Sequence, residues 1–321
     1  MSADRLPIID LRSAEVAPQI DAACRHNGFF VITGHGVDPA LQERLDSAAR
    51  AFFARPDAEK ATVAMALGGR AWRGWFPLGG ELTSGVPDGK EGLYFGAELP
   101  PDDPRVVAGL PLHGPNLFPD EPAELRPAVL GWLDAMTRLG HRLMAQIAIA
   151  LGLDEQWFAR HLTADPTVLF RIFRYPPGDP AVTDRWGVAE HTDYGLLTIL
   201  AQDASGGLQV RDGDRWIDVP AIPGAFVCNI GYMLDRITGG RYRSTPHRVR
   251  TTSADRLSFP FFFDPSWDAE VGPLPLADEP PPDDAATRWD RTSVHAFTGT
   301  YGDYLTAKVA KVFPHLVDDA R

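Results

Sequence analysis

Lysine is scarce in this chain, and no lysine-rich block occurs anywhere along it. The formal net charge is -12, which argues against a nucleic-acid surface built on clustered Lys and Arg. No uninterrupted apolar run approaches the ~18–20 residues of a membrane span. Met1 to Asp10 carries charge and proline but no apolar signal core, so a cytoplasmic protein is expected rather than an exported one. Cysteine is almost missing. Cys24 and Cys228 lie far apart in the sequence, each in apolar surroundings, and read as reduced buried thiols rather than a disulfide framework. No repeat at solenoid spacing is present.

What is there suffices for a large core with room for a pocket: 321 residues, either two average domains or one large domain on a barrel. The first third alternates helix and strand. Ala14 to His26 reads as a helix stopped by Gly28, and Phe29 to Ile32 as a strand. Asp38-Pro39 is a cap followed by proline in the first turn, and opens a helix running to Phe53. Residues 66–119, rich in Gly and Pro, read as long loops with short strands. A long helix is predicted over Glu124 to Leu151, where apolar residues recur near 3.6 spacing, and a short one over Glu155 to Leu162.

After Thr167 the pattern changes to short β-type runs separated by Gly, Pro and Asp. They are Val168–Tyr175, Leu196–Gln202, Gly207–Arg211, Trp216–Val219, Ala225–Ile230, His247–Thr251 and Leu257–Phe263. Such spacing suits an antiparallel sandwich or jelly roll rather than βαβ units. A proline-rich acidic loop, Gly272 to Asp284, precedes a last helix from Tyr301 to Phe313. The expected fold is α+β: a double-stranded β-helix (jelly-roll) core braced by N-terminal helices. The whole of 1–321 forms one unit, with an N-terminal region over 1–119, the core over 167–270 and a terminal helix over 300–314.

Among nine histidines, one is followed two positions later by a carboxylate: His191-Thr-Asp193. On a strand, residues i and i+2 share a face, so both side chains enter the same side of the sheet. Two His and one carboxylate on one face of a metal, with the remaining positions open, form the facial triad of Fe(II) oxygenases. The third ligand must come from a neighbouring strand, and His247 heads one. Beyond it, Arg256-Leu-Ser258 again places two groups on one face, a guanidinium and a hydroxyl that can fork a carboxylate. A dicarboxylic keto acid needs such a pair of anchors, metal at one end and fixed cation at the other. Arg291-Thr-Ser293 repeats the spacing without a strand pattern and is set aside.

These motifs, with Gly207-Leu-Gln-Val, Asn229-Ile-Gly231 and Ser244-Thr-Pro-His247-Arg-Val, resemble the isopenicillin N synthase-like branch of the 2-oxoglutarate/Fe(II)-dependent dioxygenases. Leu6-Pro-Ile-Ile-Asp10-Leu, Gly28-Phe-Phe and Gly34-His-Gly-Val resemble the same family's N-terminal region, so the likeness spans most of the chain. The resemblance implies Fe(II), 2-oxoglutarate and dioxygen acting on a small molecule, of the kind met in secondary metabolism. It assigns His191, Asp193 and His247 to iron, and Arg256, Ser258 and Tyr175 to the distal carboxylate of 2-oxoglutarate. It puts Phe262 and Val249 beside the substrate, and Trp72, Arg73 and Phe76 in a substrate wall. Two positions depart from the family pattern: Tyr232, where Asp often follows Asn-Ile-Gly, and Phe173, where plant members commonly carry Asn.

Three other readings compete. One is an oxidase of the same family that needs no keto acid, whose Arg-x-Ser pair grips the substrate's own carboxylate. Another is a zinc hydrolase on the same triad. The third is a non-catalytic small-molecule binding protein on this scaffold, against which an open-sided metal site argues. His35, flanked by glycines after a strand, is read as a structural hydrogen-bonding group. Trp157, Phe158, Phe261 and Phe263 are read as core.

Overall fold

The computed structural model describes residues 5–83, 85–178, 186–288, 291–295 and 299–312. The early strands are β1 (Ile8–Asp10), β2 (Phe29–Thr33), β3 (Gly74–Phe76), β4 (Leu82–Thr83), β5 (Val86–Pro87) and β6 (Glu91–Gly96). The next four are β7 (Pro166–Tyr175), β8 (Trp186–His191), β9 (Leu197–Gln202) and β10 (Leu208–Asp212). The last are β11 (Arg215–Asp218), β12 (Phe226–Ile230), β13 (His247–Arg250) and β14 (Arg256–Ser266). An eight-stranded sheet runs β1-β2-β12-β9-β14-β7-β6-β3, and a four-stranded sheet runs β11-β10-β13-β8. Apart from the parallel β1–β2 pair, the ladders of both sheets are antiparallel. This is the jelly roll expected from the strand spacing, with N-terminal strands added to its larger sheet.

The helices are α1 (Val16–His26), α2 (Pro39–Phe53), α3 (Asp57–Lys60), α4 (Pro104–Val107), α5 (Leu125–Ala150), α6 (Trp157–His161), α7 (Tyr232–Ile237) and α8 (Tyr301–Val312). Phe313, the expected end of α8, lies outside the described residues. Asp38 caps α2 by accepting from the amide of Ala40 at 2.9 Å, with Pro39 in the first turn. The buried stripe of α2, Leu45, Ala48, Ala49, Phe52 and Phe53, has the 3–4 spacing of one helical face. In α5 the same spacing buries Val129, Trp132, Met136, Leu143 and Ile147 against α1, α2 and the large sheet. After α1 the chain turns through Gly28 at φ +72, where a Cβ would stand 2.0 Å from the carbonyl oxygen of Arg243. Nothing but glycine fits that turn. None of the helices among the described residues is long and apolar enough to cross a membrane.

Strand alternation divides the large sheet into an outer and an inner face. On β14, Leu257, Phe259, Phe261 and Phe263 are buried in the core, while Arg256, Ser258, Pro260, Phe262 and Asp264 line a cavity on the other side. On β7 the cavity face carries Leu169, Arg171, Phe173 and Tyr175. The small sheet closes that cavity with Val188, His191, Leu208, His247 and Val249. The short strands expected in the Gly- and Pro-rich segment include β3 and β6, which extend the edge of the large sheet. One stretch differs from expectation: Gly231 is followed by the short helix α7.

Candidate active site

The cavity between the sheets has a volume of about 580 Å³. At one end the chain pairs His191 on β8 directly with His247 on β13. Ladder pairing stops at His191, so Asp193 lies in the turn beyond the strand, not on it. The turn nonetheless delivers its carboxylate to the same place: one ligand atom from each of His191, Asp193 and His247 lies within 4.8 Å of the others.

Hydrogen bonds orient all three groups. Asp193 Oδ2 accepts from Thr198 Oγ1 at 2.5 Å and from Asn229 Nδ2 at 2.7 Å. Its other oxygen, Oδ1, faces both imidazoles, 3.8 Å from His191 Nε2 and 3.7 Å from His247 Nε2. Each His turns Nδ1 toward a backbone carbonyl, of Ala189 at 2.8 Å and of Thr245 at 3.4 Å. An Nδ1–H donated there leaves the Nε2 lone pair free for a metal. Burial, then the neighbouring His191, lowers His247 to about 4, so its ring is neutral at pH 7. Burial works to raise Asp193, but His247, His191 and the two donors outweigh it and hold the carboxyl below its usual range. Two imidazoles and one carboxylate oxygen, converging and backed by hydrogen bonds, are the donor set of a mononuclear Fe(II) site.

The opposite end of the cavity floor holds a cation. Arg256 is 1 % exposed. Its Nε donates to the carbonyl of Gly206 at 2.6 Å and its Nη2 to Gln202 Oε1 at 3.3 Å, while Nη1 is buried with no hydrogen-bond partner among the described residues. The guanidinium lies 4.6 Å from the centre of the Tyr175 ring, directly across the β7–β14 ladder, and Ser258 Oγ donates to Tyr175 Oη at 3.5 Å. An orphaned guanidinium nitrogen beside two hydroxyls fits a carboxylate.

Phe262 and Val249 line the cavity. Trp72, Arg73 and Phe76 do not. Trp72 is buried at a left-handed turn, and Arg73 is a buried brace whose Nη2 donates to the carbonyl of Leu112 at 2.7 Å. Phe76 packs edge-on behind Tyr94 and Phe173, which do form the wall. These three come from turn and β3 backbone at the sheet's outer edge, so the cavity-facing strands β6 and β7 stand in front of them. Arg70 is exposed. Tyr232 and Phe173, the two departures, both reach the cavity: the first beside the turn that carries Asp193, the second on the floor under Lys90. His35 serves as expected, accepting from the amide of Val37 and bonding the carbonyl of Gly224.

Some groups that line or support the cavity escaped the reading of the sequence. Thr198 and Asn229 reach Asp193 only through the folding of β9 and β12, and no local spacing announces them. Arg171 was legible in principle, being four residues before Tyr175 and therefore on its face of the strand.

A jelly roll with a His-Asp-His cluster at one end of its cavity and a fixed guanidinium at the other defines a non-haem Fe(II) oxygenase. Residues 6–121 match the family described as non-haem dioxygenase in morphine synthesis N-terminal, and residues 166–265 match the 2OG-Fe(II) oxygenase superfamily. A probable iron/ascorbate oxidoreductase of Dictyostelium discoideum is 46% identical over 98% of this chain and 96% of its own length. A homoarginine-6-hydroxylase of Arabidopsis thaliana is 34% identical over 95% and 91%. The solved structure of a full-length Neurospora crassa protein in complex with alpha-KG superposes with a TM-score of 0.80, covering 97% of this chain and 98% of that one. At 24% identity that likeness speaks to the fold. The chain belongs to the 2-oxoglutarate/Fe(II) oxygenase superfamily, and it is a 2-oxoglutarate-dependent dioxygenase that oxidises a small molecule.

Proposed function

We propose that the reaction is hydroxylation of a small molecule, carried out by the whole chain as one unit. His191, Asp193 and His247 hold the iron, and Arg256, Ser258 and Tyr175 hold the distal carboxylate of 2-oxoglutarate. The observation that carries this is the pairing of a three-donor cluster with an orphaned, buried guanidinium nitrogen across one cavity. Iron with 2-oxoglutarate and dioxygen supplies the oxidant, releasing carbon dioxide and succinate. The chain's own part is positional. Thr198 and Asn229 fix which oxygen of Asp193 points inward, Arg256 fixes the register of the keto acid, and Phe262, Val249 and Tyr232 shape the space beside the metal. A relative named as a hydroxylase supports hydroxylation over desaturation or ring closure. Two buried, unpaired cysteines suit a reducing compartment, and we infer a cytoplasmic location.

The test is the co-substrate. Arg256→Lys keeps a charge but loses the planar fork. Loss of a charge-assisted bond in a dry pocket typically costs ~1.5–3 kcal/mol, so the apparent affinity for 2-oxoglutarate should fall about 10- to 100-fold. Iron binding, followed separately by metal titration, should persist. An unchanged 2-oxoglutarate dependence, or full turnover with no keto acid added, would instead mean an Fe(II) oxidase in which Arg256 grips the substrate itself.

A further inference from the structure

The cavity floor carries a second arginine whose position the iron and co-substrate roles leave unused. Arg171 lies on the inner face of β7, four residues from Tyr175, or about 13 Å along the strand. Its guanidinium sits 3.5 Å over the centre of the Tyr94 ring, its direct partner across the β6–β7 ladder, and 5.6 Å from the centre of Phe262. Rings on its faces fix the plane and leave the edges to receive a ligand. Nη1 is buried with no hydrogen-bond partner, and among the described residues the Arg171 side chain makes no hydrogen bond or salt bridge. Near it, Arg73 is 1 % exposed and also forms no salt bridge among the described residues, so two positive charges stand together; Glu98, the carboxylate that acts on Arg73, is itself paired with Arg126 at 3.0 Å and accepts from Asn116 Nδ2 at 2.7 Å.

Two carboxylates lie near enough to act on Arg171, and each is held elsewhere. Glu81 pairs with Lys90 at 2.8 Å and accepts from the Tyr94 hydroxyl. Asp264 accepts from the Tyr301 hydroxyl at 2.7 Å and from the amide of Leu196 at 3.0 Å. Burial pushes Asp264 up to about 7. The charge at this end of the cavity is therefore left for a ligand.

We infer that Arg171, backed by Arg73, is the receptor for a carboxylate of the primary substrate, which is thus an organic acid held at the far end of the cavity from Arg256. This rests on the dioxygenase reading of the same cavity and narrows its substrate class. Leu169, Phe173 and Phe262 around the arginine suit an apolar or planar body attached to the acid.

The experiment uses the full chain loaded with Fe(II) and 2-oxoglutarate under argon, titrated calorimetrically with matched pairs: phenylacetate, 3-phenylpropanoate and indole-3-acetate, each against its carboxamide. The wild type should bind at least one acid ten or more times more tightly than its amide. In Arg171→Gln that preference should collapse, the acid losing about 10- to 100-fold and the amide little, while Arg171→Lys should recover part of it. Calorimetric affinity for 2-oxoglutarate should remain in both variants. A wild type that binds no acid better than its amide, or an Arg171→Gln that keeps the preference, overturns the assignment. Should Arg171→Gln fail to fold, Arg171→Lys decides alone, since an acid preference undiminished from the wild type would exclude a forked contact. Failure of the dioxygenase reading has a different signature, because the wild type would then not bind 2-oxoglutarate at all.

Discussion

The two oxygens of Asp193 have different fates, and the difference is set by Asn229 and Thr198. With both donors on Oδ2, the inward oxygen carries a single orientation toward the two Nε2 atoms. Removing a group of this kind, one shell out from a metal, typically weakens metal affinity about 10- to 100-fold. Asn229→Ala should therefore remain folded, with a circular dichroism spectrum and melting temperature near those of the wild type, yet need that much more Fe(II) for half-saturation in a metal titration. An unaltered titration would mean that the carboxylate is oriented by the turn alone. Arg73 teaches a complementary lesson. The family resemblance put it in a substrate wall, but the fold buries it outside the cavity lining and gives it a backbone carbonyl to brace.

At the scale of elements, α5 packs behind β14, the strand that carries the proposed co-substrate anchors Arg256 and Ser258. Gly140 lies where the helix presses on β14: a Cβ there would stand 2.4 Å from the ring of Phe263. Gly140→Ala should gain up to ~1 kcal/mol of helix propensity. It should lose more by overpacking, of the order of 1–3 kcal/mol, because the ring is fully buried and cannot swing aside. The expected net result is a lower melting temperature; a higher one would show that Phe263 repacks freely. Helix α2 was legible in the sequence because its Asp38 cap and the proline after it agree, α1 because Gly28 stops it, and α5 because its apolar residues keep a 3.6 period. Most strands after Thr167 were legible through their punctuation; β8 was not among those runs and was signalled only by the His191-Thr-Asp193 spacing. What escaped was the place of the short strands β3 and β6 at the edge of the large sheet, a pairing decided by β7, and α7, too short for a period to register. The proposed iron ligands were legible because a two-residue spacing still brings the groups together where the strand ends at His191, two residues short of Asp193. Their supporting donors come from strands distant in sequence, and only packing brings them in.

At the scale of the molecule, the proposed iron ligands and the proposed co-substrate anchors belong to different walls. His191 and His247 stand on the small sheet, with Asp193 at its rim; Arg256, Ser258 and Tyr175 stand on the large one. A keto acid chelated at one end and forked at the other is therefore a tie rod across the sandwich, and its binding energy is also cohesion between the two layers. Hydrogen exchange with Fe(II) under argon should register this. Adding 2-oxoglutarate should slow exchange in β8 and β13 and, in the same step, in β7 and β14. Adding 2-oxobutanoate, which keeps the chelating end and lacks the distal carboxylate, should slow the first pair alone. If both acids protect all four strands equally, the rod has no second anchorage. Where it has one, the enzyme without co-substrate is the looser body, and the small molecule it consumes each turnover is what draws its two halves taut.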